Sequence, residues 1–189
     1  MLKSLVLALG LTVSLSASAN TIENFVRDMN HAVFAEAKSP FNWVVGDTAT
    51  YNAKISFISG KMIMTVKSVT ATQVVINQNI DMLIIKQDCD STINSSTGQV
   101  ESIVCNGQAQ DPNQGGDIEV IESKEDTVKV PAGTFTCLYI KAKTTVQGNA
   151  SEIQQWVNPK QVPVMGLVKM MSAVQGQNLV MELASFKKM

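Results

Sequence analysis

Tyr51-Asn52-Ala53-Lys54-Ile55-Ser56-Phe57, then Ser59-Gly60, then Lys61-Met62-Ile63-Met64-Thr65-Val66-Lys67: apolar and polar side chains alternate on both sides of a turn signal. A period of two marks a half-buried strand, and a glycine between two such runs marks a hairpin. Downstream, the same reading expects a third strand near residues 74–86, with Ile80, Met82 and Ile84 on one face. Residues 99–105 form its return, broken by Asn106-Gly107. Residues 108–116 are polar and glycine-rich and are expected to form a loop. Further strands are expected near 118–123, 127–130, 134–145, 152–157, 167–174 and 178–186. Residues 158–166 contain Pro159 and Pro163 and cannot form a central strand. Every connection is short, and parallel pairing needs long crossovers, so the sheet should be antiparallel.

Upstream of Gly46 the period is different. Ile22, Phe25, Val26, Met29 and Val33 follow the spacing of one helical face. Thr21 can cap that helix, and Ser39-Pro40 ends it, because proline disfavours helical geometry in the residue before it. The apolar stripe must bury itself, and the sheet is its obvious partner. The expected fold is therefore mainly β: one curved antiparallel sheet or half-open barrel of about nine strands, with one N-terminal amphipathic helix on its concave face. A closed barrel is the alternative.

The chain opens with Met1-Leu-Lys3, an apolar run over residues 5–15 and Ser-Ala-Ser-Ala19. A positive start, a short apolar core and a small-residue cleavage site make residues 1–19 a signal peptide. The run is too short to span a bilayer, which needs about 20 residues. Residues 20–189 then form a single β-rich domain in the periplasm or outside the cell. Loss of Lys3 leaves 14 basic against 16 acidic residues. That balance offers no basic field for nucleic acid or anionic membrane.

Three cysteines remain, Cys89, Cys105 and Cys137. In an exported protein an odd count suggests one bridge and one spare thiol. Cys89 and Cys105 flank a turn-like stretch over residues 90–98, so two strands meeting across it would pair them. Two unpaired, half-buried thiols are the alternative. Cys137 lies mid-strand among apolar neighbours and reads as a packed small hydrophobe.

Two segments occur together: Val128-Lys-Val-Pro131-Ala-Gly133-Thr-Phe135-Thr-Cys137, and Trp156-Val-Asn-Pro159-Lys-Gln-Val-Pro163-Val-Met-Gly166-Leu-Val-Lys169. Val45-Gly46-Asp47-Thr48-Ala-Thr-Tyr51 fits upstream. The combination resembles a loose group of bacterial periplasmic proteins of unknown function with VPAGTF and WxxPxxVPxxGLVK motifs. That group is distantly similar in fold to the LolA/LolB-like lipoprotein carriers. The resemblance covers most of the mature chain. It implies a curved antiparallel sheet and, through the carriers, binding of an acyl chain or lipid. Its shared positions set turns and fill the core, and none is catalytic.

The residues that could carry chemistry are few. His31 is the only histidine, with no second one for a metal or a conventional triad, and no Gly-x-Ser-x-Gly elbow exists. Ser185-Phe-Lys-Lys188 matches Ser-x-x-Lys in form only, at a C-terminus expected to fray. Asp111, Asn113, Gly116 and Glu122 fall at the first, third, sixth and twelfth positions of a calcium loop that also holds Asp117 and Glu119. Gly115 lacks the oxygen needed at the fifth position, so a solvated acidic turn is the plainer reading. A second match, from Asp90 to Glu101, lacks the turn glycine. Met62, Met64, Met170 and Met171 could offer thioethers to copper, but their strand spacing points to core packing. Trp43 reads as an ordinary buried indole. Asn94 and Asn149 match glycosylation acceptors, against which the bacterial character of the signal argues.

The sequence thus points to a non-enzymatic exported protein. It is expected to bind an apolar ligand (a lipid or acyl chain) or a protein partner on a curved sheet, with no cofactor. Alternatives are a structural or interaction protein of the cell envelope without small ligand, and a calcium-stabilised β module.

Overall fold

The first hairpin forms, but its turn lies at Ser56-Phe57 rather than at the expected Ser59-Gly60. Those two residues sit inside the second strand, opposite Lys54 and Ala53, and Phe57 is exposed on the turn instead of continuing the half-buried face. In the computed structural model, β1 (Thr48–Ile55) pairs antiparallel with β2 (Ile58–Val69), and Tyr51 faces Met62 across the ladder. The structure describes residues 41–83, 85–112, 118–146, 149–174 and 177–189. The expected signal peptide, the expected helix over 21–33 and His31 lie outside the described residues.

Nine further strands follow: β3 (Gln73–Met82), β4 (Ile85–Asn94), β5 (Val100–Cys105), β6 (Gln108–Gln110), β7 (Ile118–Val130), β8 (Gly133–Val146), β9 (Asn149–Val157), β10 (Leu167–Val174) and β11 (Gln177–Lys187). All eleven form one sheet in the order β6-β5-β4-β3-β2-β1-β11-β10-β9-β8-β7, and every pairing is antiparallel. Two meanders are thus joined where the last strand pairs with the first. The sheet is not closed, because β6 and β7 form its two free edges.

Those edges are consecutive in sequence. Ten strand spacings would set them about 48 Å apart in a flat sheet. The chain from Gln110 to Ile118 can reach only about 28 Å even when fully extended. The sheet therefore curls, and β7 also touches β10 and β11 across the fold. At Gly60 the curl is tight: a Cβ there would sit 2.6 Å from the Met82 Cα, so only glycine lets β2 lie that close to β3.

Three further expectations are corrected. Among the described residues the strand count is eleven rather than about nine. The expected strand over 74–86 is the hairpin of β3 and β4, with Met82 facing Ile85 across a turn that begins at Leu83. That turn has no Gly, Pro, Asn or Asp, so it hides inside an apolar run. The expected breaks near 108–116 and 123–127 also differ. β6 occupies part of the first, and β7 runs unbroken through the second.

Inward-facing side chains form one contiguous apolar cluster that includes Tyr51, Met62, Met64, Met82, Met170 and Met181. The opposite parity carries the polar residues. On the outside, Asn77 donates to Asp88 (2.5 Å) and Asp90 (2.8 Å), and Lys67 reaches Asp90 at 2.7 Å. Burial by itself would raise the Asp90 carboxyl, but the Lys67 and Asn77 hydrogen bonds hold it below its ordinary value. Exposed pairs of this kind are worth about 0–1 kcal/mol, so the outer ladder tunes solubility more than stability.

Cys89 and Cys105 form a disulfide, directly opposed on β4 and β5 with Cα atoms 4.1 Å apart. That spacing is close to a non-hydrogen-bonded antiparallel pair, whose Cα atoms lie about 4.5 Å apart. Cys137 is a buried free thiol on β8. Burial, with the Asp126 charge adding, pushes it up to about 12.

Candidate functional site

The concave face of the curled sheet is the candidate site, and its two ends differ. At the first end the chain enters at residues 41–47 and the C-terminus returns. The proline-bearing loop over 158–166 folds inward here, burying Val162, Val164 and Met165. Gly166 adopts a φ of 68°, and a Cβ there would lie 2.7 Å from the Pro159 Cα, so the loop closes on itself only with glycine. Asn158 N–H donates to the Gly166 carbonyl at 2.7 Å. The Trp43 indole N–H donates to the Val164 carbonyl at 2.7 Å, and its ring stacks on Phe41. Tyr51, fully buried, donates its hydroxyl to the Leu167 carbonyl at 3.1 Å, and burial raises its pKa.

The Pro131-Ala132 turn completes this seal. Ala132 N–H donates to the Leu183 carbonyl at 3.0 Å, docking the β7–β8 hairpin onto β11. Phe135 and Phe186 meet with ring centroids 6.4 Å apart. The buried Asp47 carboxylate accepts from Val44 N–H (3.3 Å) and Met189 N–H (2.9 Å), tying the first and last described segments together. Both quoted motifs therefore have a structural role: they close one end. Outside the seal lies a shallow cleft of about 230 Å³ between Asn42, Asp47, Pro159, Pro163, Lys188 and Met189.

The opposite end is made of hairpin tips. Phe57, at the β1–β2 turn, is 90% exposed, and Leu83, at the β3–β4 turn, is 84% exposed. Asn106 and Gly107, with φ of 50° and 80°, make the primed turn between β5 and β6. No described loop folds inward here as the 158–166 loop does.

The wall between the two ends is soft and apolar. Across the sheet the register runs Gln155, Met170, Met181, Ala53, Gly60, Met82. Small residues thus form its midline, and methionines flank them. Methionine is unbranched and polarizable, so such a wall adapts to irregular apolar shapes. Met62, Met64 and Met170 are fully buried within this cluster, which matches the core reading. Met171 lies on the other parity and is partly exposed.

Set into this wall are polar side chains that the sequence reading passed over. Gln78, Ser91 and Gln155 are fully buried. Both polar atoms of Gln78, the Ser91 hydroxyl and the Gln155 carbonyl oxygen have no hydrogen-bond partner. Gln155 donates its amide N–H to Met170 Sδ at 3.3 Å, a weak acceptor. Among the described residues, the buried polar groups include no lysine or arginine, and the one buried carboxylate is Asp47 at the sealed end. A pattern signal existed: each of the three interrupts an otherwise apolar inward series, as Gln78 does between Ile76 and Ile80.

The remaining candidates are placed as follows. Of the proposed calcium loop, Asn113 and Asp117 lie outside the described residues. Glu119 and Glu122 sit on strand β7 rather than in a loop, and Glu122 pairs with Lys124 at 2.7 Å. The described residues contain no cluster of three or more metal-ligating side chains. Ser185 lies on β11, which is paired with β1 through Lys187, so the expected fraying is corrected. Lys188 donates to the Lys160 carbonyl at 2.8 Å instead of approaching that serine. Asn94 caps its own turn through Ser96 and Thr97 N–H groups and donates to Glu101. Among the described residues no helix is long and apolar enough to cross a membrane.

No protein-family model matches the chain, and no curated protein matches it. Among solved structures, a protein from Bacteroides fragilis described as exported, with a YmcC-like fold, is 15% identical with a TM-score of 0.47, over 78% of this chain and 98% of its own. A protein from Parabacteroides distasonis described as a lipoprotein is 12% identical with a TM-score of 0.45, over 78% of this chain and 97% of its own. MucB is 8% identical with a TM-score of 0.39, over 89% of this chain and 58% of its own.

Proposed function

We propose that this is a non-enzymatic exported protein of the bacterial envelope that holds an apolar ligand against the concave face of its sheet. The compartment rests on the signal-peptide pattern of residues 1–19 and on the Cys89–Cys105 disulfide, which persists in oxidising surroundings. The ligand rests on one observation: an inward wall of methionines and small residues, sealed at one end and bordered at the other by exposed Phe57 and Leu83. Concave, mainly apolar surfaces with a few polar groups are the usual sites for small molecules.

Titration with the environment-sensitive probe N-phenylnaphthylamine tests this. Saturable fluorescence enhancement, lost on Met62→Lys but kept on Lys54→Ala at the outer face, supports the reading. No enhancement, or equal enhancement by the Met62→Lys variant, contradicts it.

A further inference from the structure

Among the described residues, Phe57 and Leu83 are the two most exposed large apolar side chains. One such residue on a turn needs no explanation, but two side by side do. Gly60 faces Met82 across β2 and β3, so both turns lie just beyond the same rung of the ladder. Adjacent strands are about 4.8 Å apart, which sets the two turns next to each other. The β1–β2 turn is also held in place. Ser56 has a φ of 52°, and its N–H donates to the Asn178 carbonyl at 2.9 Å, tying the turn to β11. Phe57 is therefore presented to solvent by a fixed turn.

Charge is nearly balanced over the whole chain, but not around these tips. Within four residues of Phe57 or Leu83 stand Lys54, Lys61 and Lys86 against one carboxylate, Asp81. Lys86 pairs with Asp81 at 3.7 Å. Lys54 and Lys61 are exposed and enter no salt bridge among the described residues. Two cations without a counter-charge thus flank two exposed apolar side chains. Each apolar side chain stands at the end of its own hairpin, so the pair projects rather than lines a groove. A fluid bilayer interface accepts projecting apolar side chains without a matching pocket, and its phosphates attract lysines.

We propose that the tip end docks on an anionic phospholipid surface. Phe57 and Leu83 enter the boundary between headgroups and acyl chains, and Lys54 and Lys61 meet lipid phosphates. This goes beyond the ligand reading and does not depend on it. The sealed end, with Trp43 and the 158–166 loop, stays away from the lipid. Two side chains and two charges give reversible attachment.

The test is co-sedimentation of the processed chain, with no other ligand, with vesicles of phosphatidylethanolamine and phosphatidylglycerol in equal parts. Vesicles of phosphatidylcholine alone are the comparison. The wild type should bind the first, more weakly as salt rises, and the second about tenfold less well. Phe57→Ser should weaken binding about tenfold, because one aromatic side chain no longer leaves water. Lys54→Gln and Lys61→Gln should each cost about fivefold at low salt. Phe57→Trp reads orientation: its added emission should shift to the blue on binding and be quenched by lipid brominated in the acyl chain. Emission from Trp43, bonded to the sealing loop, and Trp156, beside the last residue of β9, should not change. Wild-type strength in Phe57→Ser or in both lysine variants, or equal binding to the two vesicles, would overturn the proposal. So would Phe57→Trp emission that vesicles leave unmoved. A wild type that ignores both vesicles also overturns it and leaves the tips to a protein partner. Should Phe57→Ser melt below the wild type, the Phe57→Trp signal decides alone.

Discussion

The two ends of the trough are built from different materials. At the sealed end, prolines, positive-φ glycine and long-range hydrogen bonds force a loop into the interior. Val162, Val164 and Met165 are buried there, Trp43 bonds to the Val164 carbonyl of that loop, and Tyr51 bonds to the Leu167 carbonyl just after it. At the tip end, short turns present Phe57 and Leu83 to solvent. Among the described residues, then, the long-range bonds that close the fold gather at one end, and under the proposed function the other end is the route of access. An apolar side chain exposed on a turn is a cost unless something meets it.

Variants at the two ends should therefore behave oppositely. Met165→Ala leaves a cavity in the seal and should cost roughly 2–5 kcal/mol by urea denaturation. A cost under about 1 kcal/mol would show that the loop is a loose cover. Replacing Cys89 and Cys105 together by Ala frees the wall beside the Asn106-Gly107 tip. It should cost about 3 kcal/mol, the expectation for a loop of about 15 residues. Tyr51→Phe removes the buried hydroxyl and its hydrogen bond to the Leu167 carbonyl, for roughly 1–2 kcal/mol. The double variant Phe57→Ser, Leu83→Ser should stay within about 0.5 kcal/mol of wild type. It should nevertheless slow uptake of N-phenylnaphthylamine in stopped flow, and unchanged uptake would remove the tip end as the route of access.

Cys137 gives the smallest effect and reports on the intact packing around β8. Its thiol is raised to about 12 in the folded chain from an ordinary 9.0. A raised value means the folded state is favoured fully below pH 9 and progressively less above it, as the unfolded thiol ionises. Iodoacetamide at pH 8 should modify Cys137 in urea but not in buffer.

Much of the fold was legible because side-chain parity is a strict geometric code. The alternation at Tyr51–Ile55 and Met62–Val66 put those residues in the core, and the spacing of Cys89 and Cys105 gave the disulfide. The break between β3 and β4 escaped because the residues between Met82 and Ile85 carry none of the usual turn chemistry. Register also depends on which strands meet, and no local pattern tells β11 to pair with β1. At the candidate site, the motifs around Pro131 and Pro159 drew attention to residues that seal the trough. The inward Gln78, Ser91 and Gln155 were visible only as breaks in parity, one polar residue each, and such a break gains meaning once its bonds can be counted.

Native mass spectrometry of the protein, purified from its own envelope without denaturant, tests the ligand most directly. The account expects a population heavier than the processed, disulfide-bonded chain, releasing on activation a mainly apolar molecule. A single species at the bare chain mass, together with no uptake of N-phenylnaphthylamine, would contradict it.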